Sequence, residues 1–115
     1  MSTFKYIMDS VYGLMPFDTK LFAIIDTPEF QRLRSMKQLG LSYLCFPGAT
    51  HSRLSHSLGV GHLAGQVFDR VVTPDLDLRD EDRLLFQAAG ILHDIGHGPF
   101  SHVFENEVMP ALTGN

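Results

Sequence analysis

Three histidines and an aspartate crowd into the stretch Gly90-Ile91-Leu92-His93-Asp94-Ile95-Gly96-His97-Gly98-Pro99-Phe100-Ser101-His102. Imidazole nitrogen and carboxylate oxygen together suit a divalent ion such as Mn, Fe, Ni, Co, Zn or Mg, and the absence of cysteine from the cluster argues against a thiolate zinc site. Read as a helix, Phe86, Gly90, His93, Asp94 and His97 share one face, while Leu84, Ala88, Ile91, Leu92 and Ile95 form an apolar stripe beside it. Neighbouring side chains on a helix project about 100° apart. His93 and Asp94 therefore reach one ion only if it lies over the ridge between them, and a third ligand must come from a facing element. His56 is the best candidate for it. Taken singly, each of these groups reads as a satisfied buried polar side chain; three aimed at one place read as a metal site.

His56 belongs to a helix expected from Ser52 or Arg53 to Val72, where it shares a face with Val60, Leu63, Ala64, Val67 and Val71. That company predicts an imidazole turned toward the core. Gly59, Gly61 and Gly65 cost this helix roughly 1 kcal/mol each against alanine, and close approach of a second helix is the expected return. Thr73-Pro74 ends the segment, and Asp80-Glu81-Asp82 supplies the acidic first turn of the helix carrying His93 and Asp94. Gly96, Gly98 and Pro99 break that helix, and a last one is expected from about Ser101 through Val103, Phe104 and Val108 to Pro110.

Upstream, Lys5 to Met15 reads as two short extended pieces around Asp9-Ser10 with a bend at Gly13, and Asp18 caps a short helix through Leu21, Phe22 and Ile25. Thr27-Pro28-Glu29 opens another helix, which Gly40 ends. Leu41 to Phe46 is expected to be extended and closed by a turn at Pro47-Gly48. The sum is an all-α domain with a little extended structure near the N-terminus.

The 115 residues, 44% hydrophobic and 19% charged, suit one domain with a buried core. No apolar run approaches the roughly 20 residues that span a bilayer, and Met1-Ser2-Thr3-Phe4-Lys5 lacks the pattern of a secretory signal. Cys45 is the single cysteine, which fits a reducing, intracellular and cytoplasmic setting; within Leu44-Cys45-Phe46 it is expected to be a buried, inert thiol. A net charge of -4 argues against a chain that coats nucleic acid. Charge is nevertheless uneven. Lys20, Arg32, Arg34, Lys37 and Arg53 precede the His/Asp cluster and together could hold an anion, whereas acids dominate from Asp69 to Asp82.

His56 followed by His93-Asp94 resembles the metal-binding signature of the HD-domain phosphohydrolases. More narrowly, the runs Ile25-Asp26-Thr27-Pro28-Glu29-Phe30-Gln31-Arg32-Leu33-Arg34, Gln38-Leu39-Gly40, Phe46-Pro47-Gly48-Ala49, Arg53, His56-Ser57-Leu58-Gly59-Val60-Gly61 and His93 to His102 resemble the deoxynucleoside triphosphate (dNTP) triphosphohydrolase branch over nearly the whole chain. The resemblance implies hydrolysis of a dNTP at its α-phosphorus to deoxynucleoside and inorganic triphosphate. It implies a divalent ion held by His56, His93 and Asp94, nucleotide contacts from Gln38, Leu39 and Arg53, and His97 and His102 beside the phosphates, with His102 protonating the leaving 5′-oxygen. Lys5, Asp26, Gln31 and Arg34 match positions of a guanine-nucleotide regulatory site in a vertebrate member, which is an oligomer.

The family completes its metal site with a distant aspartate, and this chain has none after Asp94. The sequence is accordingly expected to be the N-terminal portion, residues 1–115, of a catalytic domain, with Phe100, Phe104 and Val108 awaiting further helices or a second copy. Two alternatives stay open at this level: a phosphodiesterase of the same family acting on another nucleotide ester, and a non-catalytic nucleotide-binding or assembly module.

Overall fold

The structure, a computed structural model, describes residues 3–71, 78–96 and 109–114. Strands β1 (Phe4–Asp9) and β2 (Gly13–Asp18) pair antiparallel from Phe4 opposite Asp18 to Asp9 opposite Gly13. Asp9 makes the turn by accepting from the Val11 and Tyr12 N–H groups at 2.8 and 3.1 Å. Alternation along β2 turns Met15 and Phe17 inward, and both are fully buried.

Asp18 then accepts from the Lys20 N–H at 2.9 Å, capping a 3-10 turn (Thr19–Leu21) that runs into helix α1 (Phe22–Ile25). Thr27 caps α2 (Pro28–Gln31) through the Phe30 N–H, with Pro28 in the first turn. The helix expected to continue to Gly40 instead tightens into a 3-10 turn over Arg32–Ser35 and stops, with Met36 extended. Tertiary hydrogen bonds claim the backbone there. Met36 C=O accepts from the Arg53 N–H at 2.7 Å, the Gln38 N–H donates to His51 C=O at 3.2 Å, and Lys37 bridges Ser52. Gly40, at φ 58°, lets the chain turn into a 3-10 segment (Gly40–Leu44) where an extended one was expected. Its side chains Leu41 and Leu44 are exposed, as is Phe46. Cys45 is exposed as well, which corrects the expectation of a buried thiol.

Two longer helices complete the described fold. The Ser52 hydroxyl accepts from the Ser55 N–H at 3.2 Å and opens α3 (Arg53–Val71), and Asp80 opens α4 (Asp80–Leu92). They lie antiparallel. Gly65 of α3 faces Gln87 of α4, and Gly61 faces Ile91, so a step of four on one helix is matched by a step of four in the opposite direction on the other. A β-carbon on Gly61 would sit 2.5 Å from Ile91 Cγ1, and one on Gly65 2.6 Å from Gln87 Nε2. The expected close approach is therefore real at Gly61 and Gly65, whereas Gly59 accommodates Tyr12 of the hairpin turn.

The inward face of α3 differs from the expected one. Leu54, Ser57, Leu58, Gly61 and Gly65 are buried, while Leu63, Val67 and Val71 are exposed and His56 is about one-third exposed at the boundary. Glycines win the inner face because only they let the two backbones come together. The core is Met15, Phe17, Leu21, Ile25, Phe30, Leu33, Leu54, Leu58 and Ile91, with Leu84, Ala88 and Ile95 of the predicted stripe packed against it. The helix expected from about Ser101 through Val103, Phe104 and Val108 lies mostly outside the described residues; a short helix, α5 (Met109–Thr113), includes Pro110. No helix among the described residues is long and apolar enough to cross a membrane.

Candidate metal centre

His93 and Asp94 lie just beyond the last residue of α4. His93 keeps helical dihedrals as the C-cap (φ -60°, ψ -27°), and the chain then turns, closed by the Ile95 N–H donating to Leu92 C=O at 3.1 Å. The expected helix through His97 thus ends earlier, and His97 and His102 fall outside the described residues. Arg32 holds the new turn from the side, its guanidinium donating to the Ile95 carbonyl.

At this end of α4 the turn meets the first turns of α3. His56 Nε2 is 3.2 Å from His93 Nε2 and 3.3 Å from Asp94 Oδ2, and His93 Nε2 is 3.2 Å from the same oxygen. Among the described residues this trio is the cluster able to hold an ion. Donors ligating one first-row divalent ion at ~2.1 Å stand about 3.0 Å apart at octahedral angles and about 3.4 Å apart at tetrahedral ones. All three observed edges lie in that window. The tautomer also fits, because His93 Nδ1 lies 2.6 Å from Gly90 C=O; donating its proton there leaves the Nε2 lone pair facing the other two donors.

Charge and burial set the chemistry of the donors. Asp94 is nearly buried, with the equally buried Arg53 guanidinium 3.5 Å from Oδ2. Burial pushes the His56 pKa below the ordinary histidine value, helped by His93, Arg53 and His51 and opposed by Asp94. An unprotonated His56 is the form that ligates. The imidazoles are the accessible side of the site, since side-chain exposure is 33% for His56 and 39% for His93 against 10% for Asp94.

The residues expected at the nucleotide divide between two places. Arg53 starts α3, and the Lys37–Ser52 bridge sets Gln38 and Leu39 alongside it. Arg53 Nε and Gln38 Oε1 are buried with no hydrogen-bond partner among the described residues, and Leu39 is half exposed. Lys5, Asp26, Gln31 and Arg34 gather elsewhere. Asp26 and Arg34 line a cavity of about 310 Å³ with Phe22, Lys5 Nζ lies 5.0 Å over the Phe22 ring, and Gln31 accepts from Arg34 at 2.9 and 3.2 Å.

Sequence reasoning gave no such role to three contributors. His51, with Thr50 and Tyr12, lines a cleft of about 440 Å³ that opens beside His56. Arg32 anchors the His93–Gly96 turn, and Gln87 is buried between α3 and α4. The first left a trace in sequence as a histidine close to His56 and the second as one of the basic residues ahead of the His/Asp cluster, while Gln87 left none.

A mainly helical domain in which one helix and the turn after a second, antiparallel one bring His, His and Asp donors within reach of one ion has a candidate metal site. The HD domain model matches residues 53–114, and the chain belongs to that family. It is 50% identical over 110 residues to the deoxynucleoside triphosphate triphosphohydrolase SAMHD1 of Bos taurus, covering 94% of this chain and 19% of that protein. The Homo sapiens enzyme of the same name is 48% identical over 112 residues, covering 96% and 18%, and the Dictyostelium discoideum homologue 46% over 106 residues, covering 90% and 21%. The chain thus spans about a fifth of the length of these relatives.

Proposed function

We propose that residues 1–115 form the N-terminal portion of an HD catalytic domain that hydrolyses dNTPs to deoxynucleoside and inorganic triphosphate. The observation that carries this reading is the convergence of His56 Nε2, His93 Nε2 and Asp94 Oδ2 at mutual distances of 3.2 to 3.3 Å, in a chain half identical to dNTP triphosphohydrolases. These three residues would hold the ion, whether Mn, Fe, Ni, Co, Zn or Mg. When bound, it supplies an acidified water and charge stabilisation at the phosphoryl group.

The chain's own residues do the rest. Arg53 pairs with Asp94 and keeps Nε as a donor for a phosphate oxygen; Gln38 Oε1 is an acceptor for a sugar hydroxyl, and Leu39 offers apolar surface to the nucleotide. His97 and His102 carry the acid–base work, with His102 giving its proton to the leaving 5′-oxygen. Lys5, Asp26, Gln31 and Arg34 form a regulatory site for a guanine nucleotide, whose acceptor-rich base and phosphates suit their mixed charge. A further ligand, from the rest of the domain, from a second copy in a homo-oligomer, from a partner or from water, would complete the site.

The test is metal content by elemental mass spectrometry on the purified chain beside His56→Ala and Asp94→Ala. Near-stoichiometric metal in the parent and loss in both variants is expected. Because His56 is partly exposed, its variant should keep the fold and is the decisive one. Equal metal in parent and His56→Ala sinks the site. Product analysis then separates the activities: intact triphosphate marks the triphosphohydrolase, and its absence with another phosphoester cleaved marks a phosphodiesterase.

A further inference from the structure

We infer that Gln87, a residue remote from the donors, is a positioning residue that sets the register of α3 against α4 and so brings His56 to His93 and Asp94. The inference rests on the metal reading above and deepens it.

Gln87 is 2% exposed and sits on α4 between the two helices. A buried primary amide is costly unless both its ends are paired, and an apolar side chain of similar volume would fill the same space without that risk. Both ends are paired. Nε2 donates to Gly61 C=O at 3.1 Å, and Oε1 accepts from Arg83 Nη1 at 3.0 Å. Arg83 in turn grips Asp69 through Nε and Nη2 at 2.8 and 2.9 Å. The relay Asp69–Arg83–Gln87–Gly61 therefore fastens α4 to α3 at two points, eight residues or about 12 Å apart along α3.

Directionality is what this relay adds to packing. Ile91 against Gly61 buries area, but apolar contact by itself tolerates sliding. A slip of one residue moves a helix about 1.5 Å along its axis and turns it by about 100°. Ligand distances at a metal site hold within about 0.2 Å. The amide bond to the Gly61 carbonyl breaks on any such slip. Gly61 lies five residues from His56 on α3, and Gln87 six from His93 on α4, so two stiff helices carry the fixed register to the donors. Glycine at 61 and 65 belongs to the same device, because a β-carbon at Gly65 would fall 2.6 Å from Gln87 Nε2 and displace the amide.

The experiment compares Co(II) affinity, the visible absorption of the Co(II) form and helicity in the parent chain, Gln87→Met and Gln87→Glu. Methionine keeps the volume and loses both hydrogen bonds; glutamate keeps the acceptor for Arg83 and loses the donor to Gly61. Both variants should retain helicity and show altered ligand-field bands; Gln87→Glu should bind Co(II) about tenfold more weakly, as one lost buried hydrogen bond predicts, and Gln87→Met, which loses two, at least as much more weakly. Parent affinity and parent bands with only a lower melting temperature would overturn the positioning role. Loss of the fold in both variants would overturn it too, since Gln87 would then serve general stability. Failure of the metal reading looks different: parent and His56→Ala would bind Co(II) alike, and both proposals would fall.

Discussion

Placing a methyl group at Gly61 tests how closely the two long helices approach. In Gly61→Ala the new β-carbon lies 2.5 Å from Ile91 Cγ1, 3.1 Å from Ile91 Cδ1 and 3.5 Å from Gln87 C=O. Carbon atoms pack at roughly 3.5–4.0 Å, so about 1 Å or more must be found. Ile91 cannot readily give it, because it is fully buried and its Cγ1 is close to the α4 backbone. Overpacking of this kind costs about 1–3 kcal/mol, while alanine returns about 1 kcal/mol of helix propensity over glycine. With a branched, buried neighbour the cost falls in the upper half of that range, leaving the variant less stable by ~1–2 kcal/mol. For a domain near 100 residues this is a melting temperature lower by roughly 5–15 °C. Gly59→Ala is the control, since its β-carbon meets Tyr12 Cε2 at 3.0 Å and that ring, 40% exposed, can swing into solvent. Propensity then wins, and Gly59→Ala should melt a few degrees higher. The assay is thermal unfolding followed by far-ultraviolet circular dichroism on the three chains. A Gly61→Ala chain that melts at or above the parent, level with Gly59→Ala, would refute the close contact and the register built on it.

Asp94→Ala leaves the Arg53 guanidinium buried without the carboxylate 3.5 Å away, so it should destabilise the metal-free chain by about 3–5 kcal/mol in urea unfolding; a loss below about 1 kcal/mol would mean that Arg53 reaches solvent. The Asp69–Arg83 pair gives a pH dependence of known sign. Hydrogen bonds from Arg83 lower the Asp69 pKa, so the pair's contribution is complete above the ordinary carboxylate range and is lost as acidification proceeds through the lower folded value. Asp69 is more than half exposed, which keeps the contribution below about 1 kcal/mol and makes it sensitive to salt. Melting curves from pH 6 to about pH 2 should show the gap between parent and Asp69→Asn closing with acid, and a gap that widens would reverse the assignment.

Local rules predicted much of the chain well. The caps at Asp18 and Thr27, the hairpin around Asp9 and the start of α3 depend on groups within a few residues of one another, and each stands where the sequence put it. The same rules failed where distant backbone competed. The helix from Thr27 stops at Ser35 because the Met36 carbonyl is taken by the Arg53 N–H, and residues 40–44 coil rather than extend. Hydrophobic periodicity also misread α3, since Val67 and Val71 look like a core stripe, yet the glycines occupy the buried side.

The sequence by itself singled out the candidate ligands: His56, His93 and Asp94 are recognisable from their types, from the lack of competing thiols and from their neighbours. It also indicated that two helices would approach at glycines. Only tertiary structure decided the register of that approach, the turn that frees His93 and Asp94 from continuing the helix, and the Gln87 relay that aligns the three donors. The physical reason is range. Capping and turn chemistry act over three or four residues and are written in adjacent letters. Donor distances of 3.2 to 3.3 Å depend on contacts between residues 37 or 38 positions apart, which no local pattern encodes.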